Sequence, residues 1–228
     1  MPLPRYAIYY TPPPSSPLAR FGAGVLGYDS FERVSVSRLT LDRIAPSLLA
    51  MATLDVRRYG FHARLVEPFV LSDYSEGEIV AMLDSFSRAH APVPVGPLQV
   101  VAIGPVVALV PAQMDPGIGA FARACLTAFD RYRVPLAAGK PEQSLAVGPA
   151  VGERDPLDRA GWADCGRFRM ALTGPLPASE VELFTRLLSN AFVPMSDDRV
   201  EIDAVSLMRQ DDLADCFFVL ARRRLTGR

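Results

Sequence analysis

An eight-residue phrase recurs in this chain together with its surroundings, and that recurrence limits the fold more than any other feature. Phe61-His-Ala-Arg-Leu-Val-Glu-Pro68 lies over Phe168-Arg-Met-Ala-Leu-Thr-Gly-Pro175 at an offset of 107 residues (168 minus 61), with Phe, Leu and Pro at the same three places. Three identities in eight say little alone. Each phrase, however, is followed by an amphipathic stretch and then by two runs rich in β-branched residues. In the first half these are Ser75–His90, Leu98–Ile103 and Val106–Val110; in the second, Ala178–Ala191, Arg199–Leu207 and Cys216–Ala221. A strand, helix, strand, strand order that occurs twice is the mark of a duplicated supersecondary unit. The expected architecture is therefore α+β, a single bilobal domain over residues 1–228 with repeat units at about 58–111 and 165–224. Each lobe is expected to be a small antiparallel sheet with helices on its outer face.

Local signals support the individual elements. Arg5-Tyr-Ala-Ile-Tyr-Tyr10 reads as a short strand stopped by Pro12-Pro-Pro14. Pro17–Gly27 and Thr40–Ala52 have helix-compatible composition. Gly60–Pro68 reads as a strand ending at proline. Ser75 with Glu78 three residues on forms a capping box ahead of Ile79, Leu83 and Phe86 on one helical face. Gly104-Pro105 joins the two runs after it as a hairpin turn would. A helix from about Asp115 to Tyr132 leads into a Gly-, Pro- and Ala-rich stretch, 135–164, with no period, which is expected to be a long connection or lid.

Half of the 228 residues are apolar, enough to bury a real interior without metals or disulfides. Lys plus Arg, at 24, nearly balance Asp plus Glu, at 25, so no whole-molecule field steers the chain toward nucleic acid or an anionic membrane. Any anion site must be local. No apolar run approaches the ~20 residues that span a bilayer, and Met1 to Tyr10 has prolines and an arginine where a secretion signal would be apolar, so a cytoplasmic location is expected. Cys125, Cys165 and Cys216 form no C-x-x-C pair and have too few histidines nearby to complete a zinc shell; they are read as reduced thiols, with no metal and no cofactor.

Alternation along the repeated strand places His62, Arg64 and Val66 on one face and Phe61, Ala63 and Leu65 on the other. In the second copy Arg169, Ala171 and Thr173 share the equivalent face, with Phe168, Met170 and Leu172 packing beneath. Facing strands that carry His62 and Arg64 against Arg169 and Thr173 would make an anion site. Glu67, three residues from Arg64, falls on the opposite face by this period. Tyr6, Tyr9 and Tyr59 either line that site or fill the core, two of the three being assigned to the core. His90, at a helix end, matches the helix dipole or is solvated. Arg222-Arg-Arg224 reads as a solvated strand end.

Five phrases carry a family resemblance: Arg5-Tyr-Ala-Ile-Tyr-Tyr-Thr-Pro12, Ser16-Pro-Leu-Ala-Arg-Phe-Gly22, Arg58-Tyr-Gly-Phe-His-Ala63, Ala128-Phe-Asp-Arg-Tyr-Arg133 and Phe168-Arg-Met-Ala-Leu-Thr-Gly-Pro-Leu176. Together they resemble the phosphonate-operon branch of the 2H (two-histidine) phosphoesterases, the domain of unknown function 1045. The resemblance implies duplicated ferredoxin-like lobes, two antiparallel sheets around a central cleft, as in LigT-like proteins. It also implies a His-x-Thr or His-x-Ser motif in each lobe, whose two histidines exchange protons with a phosphodiester. Here the motif positions hold His62-Ala63-Arg64 and Arg169-Met170-Ala171. Arginine stays protonated, so Arg169 can neutralise a phosphate but cannot act as a base. The expected site is thus His62 as the one acid or base, with Arg64, Arg169, Thr173 and Tyr59 around a small anionic, phosphorylated or carboxylated ligand. Diverged hydrolase chemistry, a ligand-binding or regulatory protein, and a pseudoenzyme acting through protein contacts all remain open, as does the oligomeric state.

Overall fold

The computed structural model describes residues 3–113, 115–134 and 168–227. The expected connection at 135–164, Cys165 and the first residues of the second repeat unit, 165–167, lie outside them. The chain is α+β, with six α-helices among the described residues. An eight-stranded antiparallel sheet is built from β1 (Arg5–Tyr10), β4 (Ala63–Leu71), β6 (Leu98–Ile103), β7 (Val106–Pro111), β8 (Arg133–Val134), β9 (Met170–Ala171), β11 (Ala204–Gln210) and β12 (Phe218–Arg224). Its order is β12-β11-β1-β4-β9-β7-β6, with β8 pairing on β4. Two small ribbons stand apart, β2 (Tyr28–Asp29) with β3 (Val34–Ser35) and β5 (Val93–Gly96) with β10 (Val200–Ile202).

The two strands of the repeat lie side by side at the centre, with Ala63 opposite Met170. The hairpin that follows the first, β6–β7, bonds to β9, while the hairpin of the second half, β11–β12, lies on the β4 side beyond β1. Each half therefore sends its hairpin to the other side of the central pair. This corrects the expectation of two separate sheets: the shared pairs close the main strands into one. Neighbouring strands in a sequence often pair with each other, and here the central β4–β9 pair interrupts that rule.

One face of the sheet carries the helices. Tyr6, Ile8, Tyr10, Ala63, Leu65, Val66, Phe69, Val107, Leu109, Phe168, Met170 and Leu207 point into a core shared with Ile79, Leu83 and Phe86 of α4 (Glu76–Ala89), Phe121 of α5 (Pro116–Phe129) and Phe184 and Leu188 of α6 (Ala178–Phe192). Helix α4 begins at the capping box read from the sequence: the Ser75 hydroxyl accepts the Glu78 amide and the Glu78 carboxylate accepts the Ser75 amide. The β6–β7 turn has Gly104 at φ 57°, a left-handed conformation that glycine adopts without a Cβ penalty. No helix of the described residues is long and apolar enough to cross a membrane.

Strand β4 does not end at Pro68 as expected. It continues to Leu71 because its pairing with β1 slips twice: Tyr9 faces Arg64, Ile8 faces Val66 and Tyr6 faces Phe69. These irregularities leave Pro68 without the ladder bond its missing N–H could not supply. They also break the period of two, so Leu65 and Val66 are both buried while Arg64 and Glu67 are both exposed. Val66 thus belongs to the core and not beside His62.

The excursion between β1 and β4 fixes the entry to the site. Helix α1 (Pro17–Leu26) starts at Ser16, whose hydroxyl accepts the Ala19 amide, with Pro17 in the first turn. It presents Gly22 to the Phe61 ring, and a Cβ at 22 would overlap that ring. Because Phe61 adjoins His62, Gly22→Ala is expected to destabilise the protein by about 1–3 kcal/mol through overpacking and to shift the His62 resonances; chemical denaturation and a proton NMR spectrum check both, and an unchanged stability would mean that Phe61 is free to move.

Candidate functional site

The opposite face of the sheet holds the predicted residues. Directly opposed residues of an antiparallel ladder share a face, and one such row crosses the sheet: Arg222 opposite Ser206, Ser206 opposite Tyr9, Tyr9 opposite Arg64. Carrying the Ala63–Met170 register one residue further sets Arg169 across from Arg64. A small apolar patch of Ala7, Tyr9, Met208 and Phe217, with Tyr59 and Val219 against it, forms the floor beside this row.

His62 stands at the middle of the arrangement. Its ring stacks on Tyr9, centroids 3.7 Å apart and planes within 15°, and Tyr59 lies 6.4 Å away at a tilt. Nδ1 sits 2.9 Å from the Gly60 carbonyl oxygen. A carbonyl can only accept, so Nδ1 carries the hydrogen and Nε2 presents its lone pair. Gly60 is held at φ 70°, the left-handed turn that aims this carbonyl back at the imidazole. Burial pushes the His62 pKa down to about 4, the Gly60 bond opposes this, and the charges of Arg64 and Arg169 push it further down. Both arginines therefore act electrostatically on His62, and the imidazole is neutral at physiological pH. Its chemistry there is that of a hydrogen-bond acceptor and weak base.

The remaining predicted residues divide. Arg64 reaches Glu67 at 3.4 Å, the two side chains being 44% and 63% exposed. The irregularity in β4 brings Glu67 to this face, against the sequence expectation, and an exposed pair of this kind is worth ~0–1 kcal/mol, little enough for a stronger anion to displace it. Arg169 is partly buried. Tyr59 is partly buried and stacks on Phe217, 5.7 Å and 18°. Thr173 is fully buried, and its hydroxyl accepts the Val107 amide at 3.0 Å. That bond joins the end of the second phrase to β7, so the structure turns the Thr173 hydroxyl inward instead of toward His62.

Sequence reading left one neighbour undecided and missed another. Tyr9, only 1% exposed, is the platform under His62. Its signal was the aromatic in register with the motif strand, legible only once β1 and β4 are known to pair. Tyr6, by contrast, is a core residue whose hydroxyl donates to Glu76 at 2.9 Å. The second is the polar end of the same row: Thr11 and Ser206, both fully buried, share a 2.7 Å hydroxyl bond, and Arg222 donates to both oxygens of Asp203 at 2.7 and 2.9 Å. Arg222 is thus part of a nearly buried ion pair, and Arg223 pairs with Asp84; only Arg224 is the exposed strand end expected of the whole run. His90 donates to the Phe86 carbonyl at 2.9 Å and stacks on that ring, closing the end of α4.

Fold and site together define an α+β protein with a neutral histidine and two arginines grouped on the face of one sheet opposite helices α4, α5 and α6. The chain belongs to the family described as protein of unknown function (DUF1045), whose model matches residues 64–218. It is 29% identical over 91% of its length to ribose 1,5-bisphosphate phosphokinase PhnN of Janthinobacterium sp. (strain Marseille), and 29% identical over 78% of its length to the protein of the same name from Laribacter hongkongensis (strain HLHK9). The chain spans about half the length of these curated relatives, 48% and 42%.

The depressed pKa of His62 has a direct consequence for stability. The unfolded chain binds the histidine proton at about pH 6.5 while the folded chain resists it until about pH 4. The contribution is therefore complete above pH ~6.5 and is lost as pH falls from there toward ~4. His62→Gln is expected to flatten the stability profile over that window by on the order of 3 kcal/mol relative to wild type, read by urea unfolding at several pH values; parallel profiles would show that His62 is solvated.

Proposed function

We propose that this chain is a 2H-phosphoesterase-like protein of the phosphonate-operon branch which binds a small phosphorylated ligand at His62, Arg64 and Arg169, and whose chemistry has diverged from the two-histidine mechanism. The reading rests on one observation above the others: a neutral imidazole with an accepting Nε2 lies under the charge of two guanidiniums at the junction of β4 and β9. A phosphate there would accept from the arginines, and its negative charge would reverse their effect on His62, raising its pKa so that the ring becomes a donor as the ligand binds. Tyr9 and Tyr59 would offer ring faces to the body of the ligand. Phe168 and Met170, on either side of Arg169 in sequence, are buried in the core, which leaves Arg169 on the face of His62.

A two-histidine phosphodiesterase needs a second proton carrier at the leaving oxygen, and Arg169 holds its proton too tightly to serve. Binding is retained on this reading, with hydrolysis of cyclic phosphodiesters weak or absent. A pseudoenzyme acting through protein contacts is the second reading, favoured by the Arg64–Glu67 contact, which gives Arg64 an internal anion of its own. Phosphonate-related metabolism and a pentose phosphate as the ligand class are supported by the name the two relatives share. The kinase activity in that name is not carried over: the nucleotide-binding pattern G-x-x-x-x-G-K-[ST] has no counterpart in this sequence, whose single lysine, Lys140, precedes Pro141.

The test is a thermal titration with inorganic phosphate and ribose 5-phosphate. At a hundredfold excess over Kd the stabilisation is about 2.7 kcal/mol, or roughly 5–10 °C for a chain of this size. Arg169→Ala should remove most of it and Arg64→Ala a large part. No shift in the wild type, or a robust 2′,3′-cyclic nucleotide hydrolysis abolished by His62→Ala, would overturn the respective half of the proposal.

A further inference from the structure

A cavity of about 400 Å³ that shares no lining residue with the His62 row is lined by Leu54, Asp55, Arg57, Arg58, Ala214 and Cys216. Its wall is the short helix α3 (Leu54–Arg57) with the residue that caps it, and its rim is the loop between β11 and β12. Both arginines are fixed by neutral partners. Arg57 donates to the Ser35 hydroxyl at 2.7 Å and lies 5.8 Å from the centre of the Tyr28 ring. Arg58 donates to the Leu213 carbonyl, while its own carbonyl accepts the Phe217 amide at 2.6 Å. Neither forms an ion pair with a described carboxylate, although Arg33, Arg64, Arg209, Arg222 and Arg223 all do.

Arg57 Nε is buried and has no hydrogen-bond partner among the described residues. A buried guanidinium N–H left unbonded is costly. Asp55 is the sole acidic group on the lining, so two cations face one anion. Burial raises the Cys216 pKa, and Arg57 and Arg58, in that order, pull it back, so both guanidinium charges reach the sulfur.

We propose that this cavity is a second anion site, separate from His62, in which Arg57 and Arg58 hold the phosphate group of a small metabolite beside the Cys216 thiol. A phosphate has three oxygens, enough to accept from both arginines at once, whereas one carboxylate is satisfied by a single guanidinium fork. Nothing in this assignment depends on the His62 reading.

Cys216 makes the site measurable. The thiolate reacts and the thiol does not, so an anion that neutralises the arginines slows the reaction. One pKa unit lowers the thiolate fraction about tenfold. The experiment follows labelling by the neutral disulfide 2,2′-dithiodipyridine at pH 8, with the Cys216→Ser protein subtracted, as inorganic phosphate is titrated against chloride at matched ionic strength. The expected result is a saturable slowing of about tenfold that Arg57→Gln and Arg58→Gln each largely abolish, Arg57→Lys partly keeps, and His62→Gln leaves intact. Slowing equal to that by chloride, or unchanged in both glutamine variants, overturns the proposal. Calorimetry of phosphate binding to His62→Gln protein decides independently: heat lost in the Arg57→Gln/Arg58→Gln double variant supports the site, and heat unchanged or absent excludes it.

Discussion

The pairing of β4 with β9 at Ala63 and Met170 is the contact on which the rest depends. These residues are 107 positions apart (170 minus 63), and their meeting joins the two halves of the chain into one sheet. Because opposed residues in an antiparallel pair share a face, the same contact sends Phe168, Met170, Ala63 and Leu65 into one core and places Arg64 and Arg169 together on the other side. The site is thus a by-product of how the core is closed.

Electrostatics then gives His62 its character. A stacked, partly buried imidazole whose Nδ1 is tied to Gly60 has one free nitrogen, which burial chiefly, and the charges of Arg64 and Arg169 in addition, keep unprotonated. A histidine in the place of Arg169 would also trade protons; here a permanent cation occupies it. The arrangement favours a ligand that brings negative charge with it, since such a ligand relieves the arginine repulsion and the histidine's reluctance to ionise in the same step.

Much of this was legible in the sequence where the signals are local. The Ser75–Glu78 capping box and the Gly104 turn appear as read, because each depends on residues within a few positions of one another. What escaped depended on long-range pairing. The slips between β1 and β4 that bury Val66, carry the strand through Pro68 and turn Glu67 toward Arg64 have no signature in the strand's own composition. Tyr9 could be placed beneath His62 only once its partner strand was known, and Thr173 shared the predicted face yet was drawn inward by the Val107 amide. The exchange of hairpins across the centre was invisible for the same reason: alternation fixes the face of a strand and not its neighbour.

The most direct test of the central claim is the pKa of His62 with and without a phosphorylated ligand. The chain has two histidines, His62 and His90, so one substitution assigns the imidazole proton resonances. The account predicts that free His62 titrates near pH 4 and that saturating ribose 5-phosphate or inorganic phosphate moves its midpoint upward by about one unit or more, with Arg169→Ala weakening the ligand's grip. A midpoint near 6.5 in the free protein, or one that does not move at saturation, would contradict it.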